Sequence, residues 1–358
     1  MPEATGSTVH ASEAGGGAAA SILEDDKRGH LAAPRGNAVI WFNQPAPSAP
    51  LDSLDVLAQV GSIRTALGRM GFAIHEVPFT LDFEALRERL RSLKPEVVVN
   101  LVESVEEDGS LIHLAPAMLE FLGVRYTGCP SQPMYLTTNK LLAKRHFVSF
   151  GVDTPAWLSR DDSHQFEAGA AYVIKAVGED ASIGMGDDAV VAGKSETELR
   201  ELLEQRAKAT GRELFAERYV HGREFNVALV GSQDAPEVMP VAEIVFPEVW
   251  KDKAYTILDY RSKWDETHEA YDTDRRFDFP EADRHTVSEI RRVAELCWRK
   301  LRFKGYARAD FRVDAAGRPW LLEINPNPGI APDSGFVAAV ERAGHAFDDV
   351  IARLVQLA

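Results

Sequence analysis

The chain has 358 residues, 45% of them hydrophobic, and a formal charge of −15 from 55 acidic against 40 basic residues. That length carries two or three compact units with cores of their own. A surface this acidic repels phosphate backbones and anionic lipid, which excludes nucleic acid and membrane surfaces as partners. A small anionic ligand is still open to it, because a local cluster of lysine, arginine and metal outweighs the global field.

Residues 1–36 are rich in Ala, Gly and Ser, with neither a basic start nor a continuous apolar core. They read as a disordered extension and not as a secretory signal. A buried strand follows at "AVIWFN" (38–43), then the helical pattern "SLDVLAQVGSIRTALGRMG", the strand "FAIHEVPF", the helix "DFEALRERLRSLK" and the strand "EVVVNLV". Strands alternating with helices at this spacing predict a parallel α/β domain over 37–128, with ligands beyond the carboxyl ends of its strands. "NLVESVEEDGS" is one such loop, either facing a site or simply solvated. Two isolated cysteines, Cys129 and Cys297, support neither a disulfide framework nor a structural zinc site, and no stretch approaches the roughly 20 apolar residues of a membrane span. A cytoplasmic protein is expected.

A second unit over 129–216 holds the helix "TTNKLLAKRHFVSFG", the strand "AYVIKAV", the loop "GEDASIGMGDD", the strand "AVVA" and the helix "ETELRELLEQRAKATG". A third, 217–358, carries "REFNVALVG" and "VMPVAEIVF" as antiparallel strands. A long polar loop from about Trp250 to Pro280 comes next, then a helix around Ser288 to Leu301, the strands "YARADFRV" and "PWLLEIN", and two short helices.

Strand residues two apart share a face, so Arg308 and Asp310 point together, as do Glu323 and Asn325. If the strands pair across "DAAGRP", one face presents all four. Three oxygen ligands beside an arginine suit Mg²⁺ and phosphate; the same residues also make an ordinary salt-bridge ladder. Lys175 ends a strand before a loop with Gly178, Gly184 and Gly186, whose backbone N–H groups can wrap a polyphosphate. In "FAERYVHGREFNV", Glu217, Arg218, Tyr219 and Val220 form an extended segment suited to an adenine edge, and Glu224 is set for ribose hydroxyls.

Across residues 96–358, "EEDGSLIHLAPAMLEFLGVRYTG", "TNKLLAKRHF", "YVIKAVGEDASIGM", "FAERYVHGREFNVALVG", "DYRSKW", "YARADFRV" and "LLEINPNPG" occur in an order that resembles the ATP-grasp fold, in its D-alanine–D-alanine ligase branch. The resemblance implies an α/β chain in which a two-part ATP-grasp unit follows the parallel domain, and a carboxylate–amine ligase working through an acyl phosphate. Lys140 and Lys175 would meet the ATP phosphates under the loop that carries Ser182 and Gly184. Asp310, Glu323 and Asn325 would hold two Mg²⁺ ions, with Mn²⁺ as a substitute, and Arg308 would face the developing oxyanion. Lys263 would reach the γ-phosphate from a lid, Trp264 would pack beside the substrates, and Gly329 and Ser334 would contact them. The implied partners are a small carboxylate and an amine, and a homodimer is expected by the same likeness. The alternative is an ATP-binding protein of the same fold that has lost ligation.

The first-substrate half departs from the pattern. The loop "WFNQPAPSAPLDS" lacks the family's glutamate for the substrate ammonium, Ala181 stands for a loop serine, and the family's histidine is replaced near Val102 and Glu103. Glu103 is the nearby candidate to take the ammonium, and D-alanine is expected to be a poor first substrate.

Overall fold

A computed structural model describes residues 35–45, 51–179, 186, 188–259, 261–262, 265, 267–268, 271 and 273–358, with backbone alone for 51–53. β1 (Asn37–Phe42), α1 (Leu51–Arg69), β2 (Ala73–Pro78), α2 (Phe83–Leu93), β3 (Val97–Leu101), α3 (Leu114–Leu122) and β4 (Tyr126–Thr127) build a parallel sheet in the order β2-β1-β3-β4. The apolar runs in β1 and β3 follow from burial on both faces. Ala38, Ile40, Val97 and Val99 join one core with Val56, Val60 and Ile63 of α1. Val39, Trp41 and Val98 face the other way, onto Leu86 and Leu90 of α2 and Leu119 of α3.

The segment expected as one helix is broken into α4 (Ser131–Thr138) and α5 (Lys140–Ser149). Asn139 leaves the helical region (φ −79°, ψ 101°), and its side chain accepts from Leu142 N at 2.9 Å, capping α5. The break sets Lys140 in the first turn of α5.

An antiparallel sheet in the order β6-β5-β9-β7-β8 follows. It is made of β5 (Trp157–Ser159), β6 (Ser163–His164), β7 (Tyr172–Ala176), β8 (Val190–Val191) and β9 (Leu214–Arg218). It is covered by α6 (Glu196–Thr210), which opens on a Ser195–Glu198 capping box.

The largest sheet runs β13-β12-β10-β14-β15, with β11 also on β10. Its strands are β10 (Arg223–Gly231), β11 (Pro236–Val238), β12 (Ala242–Val245), β13 (Asp274–Arg276), β14 (Gly305–Val313) and β15 (Pro319–Asn325). The stretch read as one polar loop thus contains an edge strand, β13. α7 (Arg284–Leu301) starts a turn earlier than expected and buries Ile290, Val293, Ala294, Cys297, Trp298 and Leu301 against this sheet. α8 (Gly335–Arg342) and α9 (Phe347–Leu357) close the chain. Gly305 (φ +84°) starts β14 so close to Gly128 that a Cβ would lie 2.7 Å from its carbonyl carbon. Only glycine fits where the chain after β4 meets the large sheet.

Among the described residues no helix is long and apolar enough to cross a membrane. Cys129 and Cys297 are both buried and unpaired. Burial, and then Glu120, raises the Cys129 thiol well above the usual range, and burial pushes Cys297 up to about 12. Thiolate is the reactive form, so neither cysteine should react with a thiol reagent in the native protein at neutral pH. Titration of both in urea checks this.

Candidate active site

The β14–β15 register sets Arg308 opposite Asn325 and Asp310 opposite Glu323, then shifts between Asp310 and Phe311 so that Leu322 is passed over. All four polar side chains line one cleft of about 440 Å³. Arg308 forks Asp310 on its own strand, with Nε–Oδ1 and Nη2–Oδ2 both at 2.8 Å. Lys140 Nζ lies 3.0 Å from Glu323 Oε2. The salt-bridge expectation is therefore met, but within a cavity and with a cation from α5, not as a solvated ladder along the hairpin. Asn325 is fixed by the turn that follows it. Its Oδ1 accepts from Asn327 N at 2.8 Å, while Asn327 donates to Val102 O at 3.0 Å and accepts from Tyr306 at 2.8 Å. The Pro-Asn-Pro corner thus ties the polar face to the loop after β3 and aims the Asn325 carbonyl oxygen.

Behind this face lies a buried lysine–glutamate–lysine cluster. Glu217 on β9 meets Lys144 Nζ at 2.6 Å and Lys175 Nζ at 2.5 Å. Lys144, fully buried, also donates to Thr154 Oγ1 at 2.8 Å and Pro155 O at 3.3 Å. Burial alone would raise Glu217, but the two lysines outweigh it and hold the carboxyl below its usual range. Burial lowers Lys144, against the pull of Glu217. Glu217, read from the sequence as part of an adenine edge, turns its side chain to these lysines. Lys144 was not singled out from the sequence, although it sits one helical turn beyond Lys140.

Tyr219, Val220 and Glu224 are organised by Arg312, which the sequence reading also passed over. Its guanidinium donates to Tyr219 Oη at 2.7 Å, Val220 O at 3.1 Å and Glu224 Oε2 at 3.0 Å. Arg218 points outward to Glu167 at 3.0 Å.

The opposite wall comes from α1 and the turn after β15. Gln59, 2% exposed, donates to Asp55 Oδ2 at 3.0 Å and Glu103 Oε1 at 2.9 Å, and accepts from Ile330 N at 3.1 Å. Burial, and to a lesser degree Asp333, raises the Asp55 carboxyl above its usual value against the Gln59 hydrogen bond. The sequence reading named Glu103 alone on this wall; α1 adds a second carboxylate, Asp55. Ser334 caps α8, accepting from Val337 N at 3.2 Å.

The cleft brings together Lys140, Lys175, Glu217, Arg218, Tyr219, Val220, Glu224, Arg308, Asp310, Glu323, Asn325, Glu103, Gly329 and Ser334. Ser182, Gly184, Lys263 and Trp264 lie outside the described residues, as do residues 1–34 of the N-terminal extension. Lys175, Arg308 and Arg312 are each matched with a carboxylate, so the cleft is ready for anionic oxygens that compete for those cations.

The family described as "D-ala D-ala ligase C-terminus" matches residues 155–356. A D-alanine--D-alanine ligase from Cupriavidus necator is 31% identical over 257 residues, which is 70% of this chain and 72% of that protein. One from Bordetella petrii is 30% identical over 258 residues, 70% of this chain and 71% of that protein. Among solved structures, a D-alanine--D-alanine ligase from Bacillus anthracis complexed with ATP superposes with TM-score 0.66 at 17% identity, covering 90% of this chain and 97% of that one. The VanG D-Ala:D-Ser ligase from Enterococcus faecalis does so with TM-score 0.64 at 14% identity, covering 90% and 99%.

Proposed function

The chain belongs to the D-alanine–D-alanine ligase family, and we propose that it joins the carboxyl group of one amino acid to the amine of a second through an acyl phosphate made from ATP. It is an ATP-dependent ligase. The observation that carries the proposed roles is the convergence of Asp310, Glu323 and Asn325 with Lys140 and Lys175 in one cleft.

The γ-phosphoryl group is transferred to the acid's carboxylate, and the amine then displaces phosphate from the acyl carbon through a tetrahedral intermediate. Lys140 and Lys175 hold ATP oxygens, trading Glu323 and Glu217 for phosphate. Glu224, braced by Arg312, takes the ribose hydroxyls, and the Glu217–Val220 backbone takes the adenine edge. Asp310, Glu323 and Asn325 offer the hard oxygens that fit Mg²⁺, which when bound neutralises charge during transfer. Arg308, beside them, stabilises the oxyanion of the tetrahedral intermediate. The segments with Ser182, Gly184, Lys263 and Trp264 are assigned phosphate and substrate contacts by family likeness alone.

Asp55 and Glu103, held by Gln59, face the ammonium of the acid substrate; Gly329 and Ser334 line the amine side. The expectation that D-alanine lacks an anchor is revised accordingly, since Asp55 supplies a carboxylate where Glu103 was the sole candidate. The test is ATP-dependent phosphate release over D- and L-amino acids, small dipeptides and non-amino carboxylates, with products identified by mass. An amide product is expected from acids that carry an α-ammonium. ATP binding without amide from any pair would overturn ligation. Asp55→Asn should raise KM for the acid and leave KM for ATP unchanged; an ATP-specific effect would remove Asp55 from the acid site.

A further inference from the structure

Arg275 is a cation in the cleft that the proposed chemistry leaves unused. It lies on the edge strand β13, opposite Ile244 of β12. Strand alternation separates it from its neighbour Arg276, which is spent on Glu243 with an Nε–Oε2 distance of 3.0 Å. Arg275 instead lines the active-site cleft, with Arg308, Asp333 and Asp55. Its Nε lies 3.0 Å from where a Cβ on Gly335 would stand, so it covers the first residue of α8 next to Ser334.

The other charged pairs in the cleft show why this residue is different. Lys140 meets Glu323, Lys175 meets Glu217, Arg308 meets Asp310 and Arg312 meets Glu224. Arg275 has no hydrogen-bond or ion-pair partner among the described residues, and its charged neighbours are Arg308 and Asp333. Partial desolvation, and then Arg308, lower its guanidinium below the usual arginine value despite Asp333. A rigid fork of N–H donors held beside a second guanidinium is stabilised by a carboxylate, which it grips in two places.

Resting on the ligase reading, we propose that Arg275 is a specificity-determining residue that receives a carboxylate of the amine substrate. The amine is then an amino acid, not an alkylamine or an amino-acid amide. The carboxylate is either the α-carboxylate or one on the side chain, and one set of measurements separates them. With the acid fixed at the best one from the phosphate-release screen, kcat/KM is compared for alanine against alaninamide and for aspartate against asparagine, in both stereochemical series. In the wild type the charged member of at least one pair should win by about 10⁴-fold, the scale on which a site built for a polar group rejects an analogue that lacks it. Loss of discrimination in the first pair identifies the α-carboxylate, and loss in the second the side chain.

Arg275→Met should abolish that discrimination by raising KM for the charged amine, with KM for ATP unchanged, and Arg275→Lys should restore part of it. Gly335→Ala, whose new methyl displaces the guanidinium, should act in the same direction. Both ratios unchanged in Arg275→Met would overturn the proposal and leave ligation standing. A wild type that makes no amide with any amine would overturn the ligase reading, and this inference with it.

Discussion

Glu323→Ala should reduce Mg²⁺-dependent turnover by at least about 10²- to 10³-fold, the loss typical of removing one preorganised group that stabilises transition-state charge. Asn325→Ala should do nearly the same. Both side chains stand on the face that the β14–β15 register builds, and Asn325 is aimed by the Asn327 backbone N–H at 2.8 Å. Glu323 also neutralises Lys140, whose side chain is only 8% exposed. The alanine variant therefore removes a metal oxygen and leaves a nearly buried ammonium without this partner. Glu323→Gln separates the two effects, because it keeps shape and a hydrogen-bonding oxygen while it removes the charge. Turnover should fall in both variants, with the Mg²⁺ concentration for half-maximal rate shifted upward, and thermal unfolding should show a folded protein in each. Wild-type turnover and an unshifted Mg²⁺ titration in Glu323→Ala would remove Glu323 from the metal site.

The polar hairpin face was legible because strand alternation is a local rule: residues two apart share a face whatever surrounds them, and "DAAGRP" announces the turn. The parallel sheet was legible for a related reason, since strands covered on both sides are built almost wholly of apolar residues. What escaped the sequence reading was the set of side chains that join distant elements. Gln59 bonds to Ile330 across 271 residues, and Arg312 reaches Tyr219 across 93. Neither residue type nor local pattern marks such a partner before the chain is folded. Asp55 sat inside an ordinary amphipathic helix, where a carboxylate reads as surface. Arg275 sat in a polar stretch whose three-residue strand, "DRR", has no apolar member to signal β-structure. The break at Asn139 was missed because "TTNKLLAKR" keeps helical composition on both sides, and only the capping role of asparagine argues for a new start.

Glu217→Gln should destabilise the fold by about 3–5 kcal/mol, the cost of stripping the counter-charge from a buried ion pair. Lys144 is fully buried and Lys175 mostly so, with 14% of its side chain exposed, and Glu217 neutralises both. The neutral amide leaves two ammonium groups beside each other, with that of Lys144 shut off from water. Lys144 must then lose its proton or draw water inward. Because Lys175 is the cation read as gripping the ATP phosphates, KM for ATP should rise alongside the loss of stability. The pH dependence gives an independent check. The folded-state carboxyl of Glu217 is held below the ordinary glutamate value of 4.5. Its contribution is then fully present above pH 4.5 and is lost as pH falls through the lower, folded-state value. The stability gap between wild type and Glu217→Gln, measured by urea unfolding, should accordingly be constant near neutral pH and close progressively below about 4.5. A gap that stayed constant through the acid range would mean that Glu217 is not the ionised centre of the cluster. A gap near zero at neutral pH would mean that the two lysines find other counter-charges when the carboxylate is gone.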